Sequence, residues 1–185
     1  MRLGVLSAIA AALLALVLSG CSSGSDLPPL PQADASKSAY LLGPGDKLRV
    51  TVFGAEDLSG DFAVGDNGMV SFPLIGDVKA AGLTPDQLSR AMRTRLADGF
   101  MRDPKVSVQV TTYRPFYIFG EVTRPGEYPY AAGMSVLNAV AMGGGYSYRA
   151  NQNYVIVTRD HKDYRATGDT RILAGDIIRV PERYF

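Results

Sequence analysis

The chain has 185 residues, with 19 Lys or Arg against 18 Asp or Glu and 46% hydrophobic side chains. So even a balance offers no basic surface of the kind that holds nucleic acid, and the length suits one ordinary domain or two small ones. One cysteine and one histidine make neither an internal disulfide nor a His/Cys metal spacing nor a nucleophile–histidine pair, so no cofactor, no metal and no enzyme activity are expected.

The N-terminus reads Met1-Arg2, then an uncharged apolar run from Leu3 to Leu18, then Ser19-Gly20-Cys21. One positive charge, a short greasy core and small residues at its end predict a secretory signal over residues 1–20. The run is short for a membrane span, which needs about 20 apolar residues. Losing it removes Arg2 and no acid, which leaves the 18 acids matched by as many bases. "LSGC" resembles the bacterial lipobox, in which the cysteine becomes the mature N-terminus and its sulfur takes a diacylglycerol. Cys21 is therefore the expected lipidation site, and several acyl chains give stable membrane binding where one does not. Ser22 follows it; an Asp there would favour the inner membrane in enterobacterial lipoproteins, so the periplasmic face of the outer membrane is the expected address. Residues 21–39, "CSSGSDLPPLPQADASKSA", are rich in Ser, Pro and Ala and predict a flexible tether, partly polyproline II.

Folded sequence begins near Tyr40. "KLRVTVFG" alternates, with Leu48, Val50 and Val52 on one face. "DFAVGDNGMVSFP" predicts a hairpin turning at Asp66-Asn67-Gly68. "TPDQLSRAMRTRLADG" is the strongest helix signal: Thr84 caps it, Pro85 opens it and Gln87 completes a capping box. Leu88, Met92 and Leu96, with Ala91, form its apolar stripe, and Gly99 can end it. "KVSVQVTTY" is an alternating strand, which completes a β-β-β-α-β unit over residues 40–112. The second unit, residues 113–185, opens with "RPFYIFGEVTRPGEYPY", a strand broken at Pro125-Gly126. Ser135 caps a short helix, "VLNAVAM", that stops at Gly143-Gly144-Gly145. "NYVIVTRD", a polar turn and "GDIIRVP" supply further strands, and the whole suggests a β-grasp-like sheet. The fold class is α+β, in two small mixed domains. One echo stands out: Gly45-Asp46-Lys47-Leu48-Arg49-Val50 matches Gly175-Asp176-Ile177-Ile178-Arg179-Val180. Gly and Asp both suit a tight turn that feeds a strand, and the echo reads as a repeated strand entry.

The first domain resembles the export signature of the outer-membrane polysaccharide export lipoproteins. The resemblance rests on "YLLGPGDKLRVTVFG", "DLSGDFAVGDNGMVSFPLIGDVKAAGLT" and "DPKVSVQV". It includes Gly43, Pro44, Gly45, Asp46, Leu58, Val64, Asp66, Gly68, Pro73, Leu74, Gly76, Gly82, Thr84 and Pro104. The second resembles an SLBB module, a soluble-ligand-binding β-grasp domain, through "FGEVTRPGEYPY", "SVLNAVAMGGG" and "VIVTRD". Gly120, Glu121, Val122, Pro125, Gly126, Gly143 and Gly144 carry that match. All of these read as structural positions rather than ligand contacts. The resemblance implies a homo-oligomeric ring that passes exopolysaccharide or capsular polysaccharide from an inner-membrane co-polymerase towards the surface. Small domains of about 70 residues each have modest cores, which neighbours in a ring would extend.

Best-known members of that family add a C-terminal amphipathic helix that spans the outer membrane. Here only Glu182-Arg183-Tyr184-Phe185 follow Pro181, about one helical turn. The expectation is a periplasmic ring, held by lipid, that hands polymer to a separate outer-membrane β-barrel. The alternative is a lipid-tethered glycan-binding adaptor without its own conduit. The triple glycine lacks the Lys-Ser/Thr of a phosphate loop and reads as a helix stop. Asp57, Asp61, Asp66 and Asp77 read as turn residues rather than a glycosidase pair. His161 reads as a solvated turn residue. Eight tyrosines of the second domain, Tyr113, Tyr117, Tyr128, Tyr130, Tyr146, Tyr148, Tyr154 and Tyr164, read first as strand residues and second as platforms for sugar rings.

Overall fold

The computed structural model describes residues 27–31 and 39–183. The expected signal and Cys21 lie outside them. The described chain folds around two separate hydrophobic cores, one built from residues 42–108 and the other from residues 116–180 together with Leu30.

In the first unit, β1 (Lys47–Val52) lies at the centre of a three-stranded antiparallel sheet in the order β2-β1-β5, with β2 at Gly60–Ala63 and β5 at Val106–Thr112. Leu48, Val50 and Val52 all face inward and are buried, as their alternation requires. β3 (Met69–Phe72) and β4 (Gly76–Lys79) form a separate antiparallel hairpin. Helix α1 (Pro85–Ala97) starts where the sequence places it, with the reciprocal Thr84–Gln87 capping box formed. Its Leu88, Met92 and Leu96 are buried in the first core, and the Ser89 hydroxyl donates to the Val106 carbonyl of β5 at 2.6 Å.

The hairpin expected around Asp66–Gly68 does not form as such. β2 pairs with β1, and β3 pairs with β4, so the turn joins two different sheets. The reason is length: Gly76–Lys79 offers β3 a partner across a short Pro73–Ile75 turn, while β1 already holds β2 in register from Lys47 to Val50.

The second unit is a five-stranded sheet in the order β7-β6-β10-β8-β9: β6 is Phe116–Gly120, β7 Gly126–Tyr128, β8 Val155–Arg159, β9 Lys162–Ala166 and β10 Ile177–Val180. Among the pairs of these five described strands, only β6–β10 is parallel. Helix α2 (Val136–Met142) is capped by Ser135 and buries Val136, Ala139 and Val140 against the sheet. β9, "KDYRA", is a charged strand that alternation alone does not reveal. It is the return arm of a tight turn in which Asp160 and His161 both have positive φ. His161 is exposed there.

The stretch read as a flexible tether, residues 21–39, is fixed over part of its length. Leu27–Pro31 lies against the edge strand β9, through a parallel bridge between Pro29 and Arg165. Leu30 is 4% exposed and belongs to the second core. An apolar side chain in a polar linker gains about 1.5–3 kcal/mol by full burial. An extended Pro-rich backbone is already shaped for a sheet edge.

Candidate functional site at the domain junction

The echoed G-D turns build the junction between the two units. In the first, the Asp46 N–H donates to Gly43 O at 3.2 Å and the Gly43 N–H donates to the Asp46 carboxylate at 2.8 Å. In the second, the Asp176 N–H donates to Leu173 O at 3.2 Å and the Leu173 N–H donates to the Asp176 carboxylate at 2.8 Å. The construction is the same: an aspartate closes the turn three residues behind it, after a glycine at φ 90 (Gly45) or φ 85 (Gly175). Each carboxylate then meets an arginine. Arg159 Nε and Nη2 grip Asp176 at 2.9 and 2.6 Å. Arg114 gives Asp46 its backbone N–H at 2.9 Å and its guanidinium at 3.2 Å.

Arg114 sits between the two turns. A Cβ on Gly43 would lie 2.5 Å from its Nη1, and a Cβ on Gly175 would lie 2.8 Å from its Nε. The two glycines thus leave the slot that the arginine occupies. The echo is more than a repeated strand entry; its two copies face each other across one side chain. Aromatic rings line the same joint. Tyr113 meets Tyr40 edge-on at 4.7 Å and Tyr130 edge-on at 5.6 Å. The Tyr40 hydroxyl donates to both Asp46 oxygens, at 2.7 and 2.8 Å, and accepts from Arg114 at 3.0 Å. Burial first, then the hydrogen bond to Asp46, holds the Tyr40 hydroxyl protonated far above the usual tyrosine range; burial also raises Tyr130. Asp46 is 0% exposed and its acceptor positions are occupied. No buried side-chain nitrogen or oxygen among the described residues lacks a partner. A carboxylate so engaged holds geometry and has no lone pair free to take a substrate proton.

The remaining sequence-selected positions fall into three other places. Cys21 is outside the described residues. Asp66 and Gly68 lie in the β2–β3 turn, where Gly68 has φ 75 and its carbonyl accepts from Ala80 and Ala81, both at 2.9 Å. Pro73 and Gly76 bound the β3–β4 turn. The SLBB-type residues come together: Thr123 N–H donates to Gly145 O and Arg124 N–H to Gly143 O, so the Gly120–Gly126 stretch lies against the glycine stop of α2. There Glu121 accepts from the Ser147 hydroxyl at 2.5 Å, and Val122 is buried in a bridge with Tyr146. Pro125 turns the chain into Gly126, the first residue of β7. Tyr40, Arg114 and Arg159 are not among the residues selected from sequence, while Tyr113 and Tyr130, read there as strand residues or sugar platforms, pack here on one another and on Tyr40. The echo was the signal that leads to them, since a repeated buried Asp needs a cation each time.

The glycine turns yield one prediction here. Gly45→Ala should cost about 1 kcal/mol through its positive φ, since a Cβ there would stand 3.6 Å from its nearest neighbour. Gly68→Ala adds a clash, its Cβ falling 2.7 Å from that of Ala81, and should cost about 2 kcal/mol or more. Urea midpoints of the two variants check the order.

Comparison with known proteins places this geometry. The family model described as "Polysaccharide biosynthesis/export protein" matches residues 34–111, and that of the SLBB domain matches residues 115–173. The exopolysaccharide production protein ExoF of Rhizobium meliloti (strain 1021) is 36% identical over 180 residues, covering 90% of this chain and 40% of that protein. The polysialic acid transport protein KpsD of Escherichia coli is 30% identical over 108 residues, 57% of this chain and 19% of its own. The EPS I polysaccharide export outer membrane protein EpsA of Ralstonia solanacearum is 30% identical over 188 residues, 80% of this chain and 49% of its own. The chain thus spans half or less of each of these relatives. It carries a polysaccharide biosynthesis/export domain followed by an SLBB domain.

Proposed function

We propose that this chain is the subunit of a homo-oligomeric ring that conducts exopolysaccharide or capsular polysaccharide across the periplasm to the outer membrane. The observation that carries the reading is the export domain followed directly by the SLBB domain, an order shared over 90% of the chain with a protein named for exopolysaccharide production. Polymer arrives from an inner-membrane co-polymerase and leaves through a separate outer-membrane β-barrel. Two features of the fold support an assembly. Both units expose large apolar side chains, among them Leu41, Phe53 (71% exposed), Leu74 and Phe100 in the first and Tyr117, Phe119 and Tyr148 (83%) in the second. The saturated Arg114 joint also suits a subunit whose two domains turn as one body. Native mass spectrometry and class averages of the purified full-length protein test it. Closed rings are expected; monomers alone would sink the ring and leave the glycan-binding adaptor.

Lipid on Cys21 holds the ring at the periplasmic face of the outer membrane in this reading. Cys21→Ala should shift the protein to the soluble periplasmic fraction or leave it unprocessed. A processed variant still found in outer-membrane fractions would refute the anchor.

A further inference from the structure

Pro28 and Leu30 bracket Arg165 of β9. The Arg165 N–H donates to Pro28 O and the Leu30 N–H donates to Arg165 O, both at 2.8 Å. These two bonds are the repeat of a parallel ladder, so residues 28 and 30 turn their backbone groups to β9 and residues 29 and 31 turn theirs away. Both residues that face away are prolines. They have no N–H, so from residue 28 to residue 31 the added strand offers no donor to another strand. Leu30 pins the strand by its burial in the second core, and Arg165 lies over the Tyr154 ring at 4.4 Å.

We propose that this clamp makes the β9 edge of the second domain the membrane-facing side of the protein, its partner being the lipid surface. The proposal rests on the lipid at Cys21 argued above. With the clamp closed, seven residue steps separate Cys21 from Pro28, roughly 24 Å at full extension. With the segment free, Tyr40, which packs against the first core, would stand at a reach of roughly 65 Å from Cys21. The clamp therefore converts a long leash into a short one and decides which domain it holds down. The first domain is then connected to the lipid only through the second domain and its joint, or through residues beyond Pro31.

The test uses the lipidated full-length protein on phospholipid vesicles that carry a rhodamine-lipid acceptor, with a donor dye on Lys162→Cys in β9. The Cys21 sulfur is occupied by lipid, so the new thiol is labelled alone. Twelve Gly/Ser residues inserted between Ser25 and Asp26 add roughly 20 Å of mean reach and should cut energy transfer at least two-fold. The same insert between Pro31 and Gln32, on the far side of the clamp, should leave transfer unchanged. Equal loss from both inserts, or loss from neither, overturns the proposal. Amide exchange gives a readout independent of lipid: the Leu30 and Arg165 amides should be protected at least ten-fold in both insert variants, and unprotected amides overturn the clamp itself. Intact mass separates the two readings, because protein without acyl chains on Cys21 refutes the anchor, and the membrane-facing proposal with it, while protected amides would still show the clamp.

Discussion

Gly120→Ala should unfold the second unit, or cost it about 3 kcal/mol or more. Gly120 has φ 88, and an added Cβ would stand 2.2 Å from the Val180 carbonyl oxygen. That oxygen is backbone, and it accepts the Glu121 N–H at 2.9 Å at the end of the β6–β10 ladder. No side chain can swing aside to relieve the contact, so β6 must part from β10 at the parallel pairing in the middle of the sheet. Gly76→Ala is the control. Its φ is 66, but nothing lies within 4 Å of the Cβ position, so it should cost about 1 kcal/mol. Urea unfolding followed by amide exchange of β10 reads both. If the two variants unfold at the same midpoint, the steric account of Gly120 is wrong and only its backbone angle matters.

Asp46→Ala should cost about 3–5 kcal/mol, the range for removing one partner of a buried ion pair. The loss strands four donors at once: the Gly43 N–H, the Arg114 backbone N–H, the Tyr40 hydroxyl and the Arg114 guanidinium. Asp46→Asn should recover little, since its amide nitrogen would point a donor at donors. Asp61→Ala gives the contrast. Asp61 pairs with Arg49 at 2.6 Å, but both side chains are 59% exposed, and water screens such a pair so that it contributes little. A denaturation series reads the stabilities, and small-angle scattering reads the angle between the domains. If Asp46→Ala were no worse than Asp61→Ala, the junction would be ornamental and the domains would hold their relation by other means.

Much of this protein is determined locally and is legible along the chain. The Thr84–Gln87 capping box, the Leu88–Met92–Leu96 stripe and the Leu48–Val50–Val52 alternation each specify their element within one or two turns of backbone, because capping and periodicity are short-range properties. The turn glycines are legible for the same reason: positive φ is required by the turn itself, as at Gly45, Gly68 and Gly175. The family signatures follow these local features, which is why the two-domain α+β organisation is readable from sequence. The tertiary structure decided what depends on contacts between distant residues. β3 chose β4 over β2 because each strand had a competing partner elsewhere. Lys162–Ala166 became a strand although it is charged, since β8 supplied a full ladder to pair with. Leu30 left the linker for a core built from residues 116–180. Arg114 acquired its role only when Gly43 and Gly175, 132 positions apart in sequence, closed on it from two domains. No local rule states where a linker leucine will be buried or which arginine a buried aspartate will find. Those outcomes are set by the free energy of burying apolar surface and of pairing desolvated charge, and both are known only once the chain has folded.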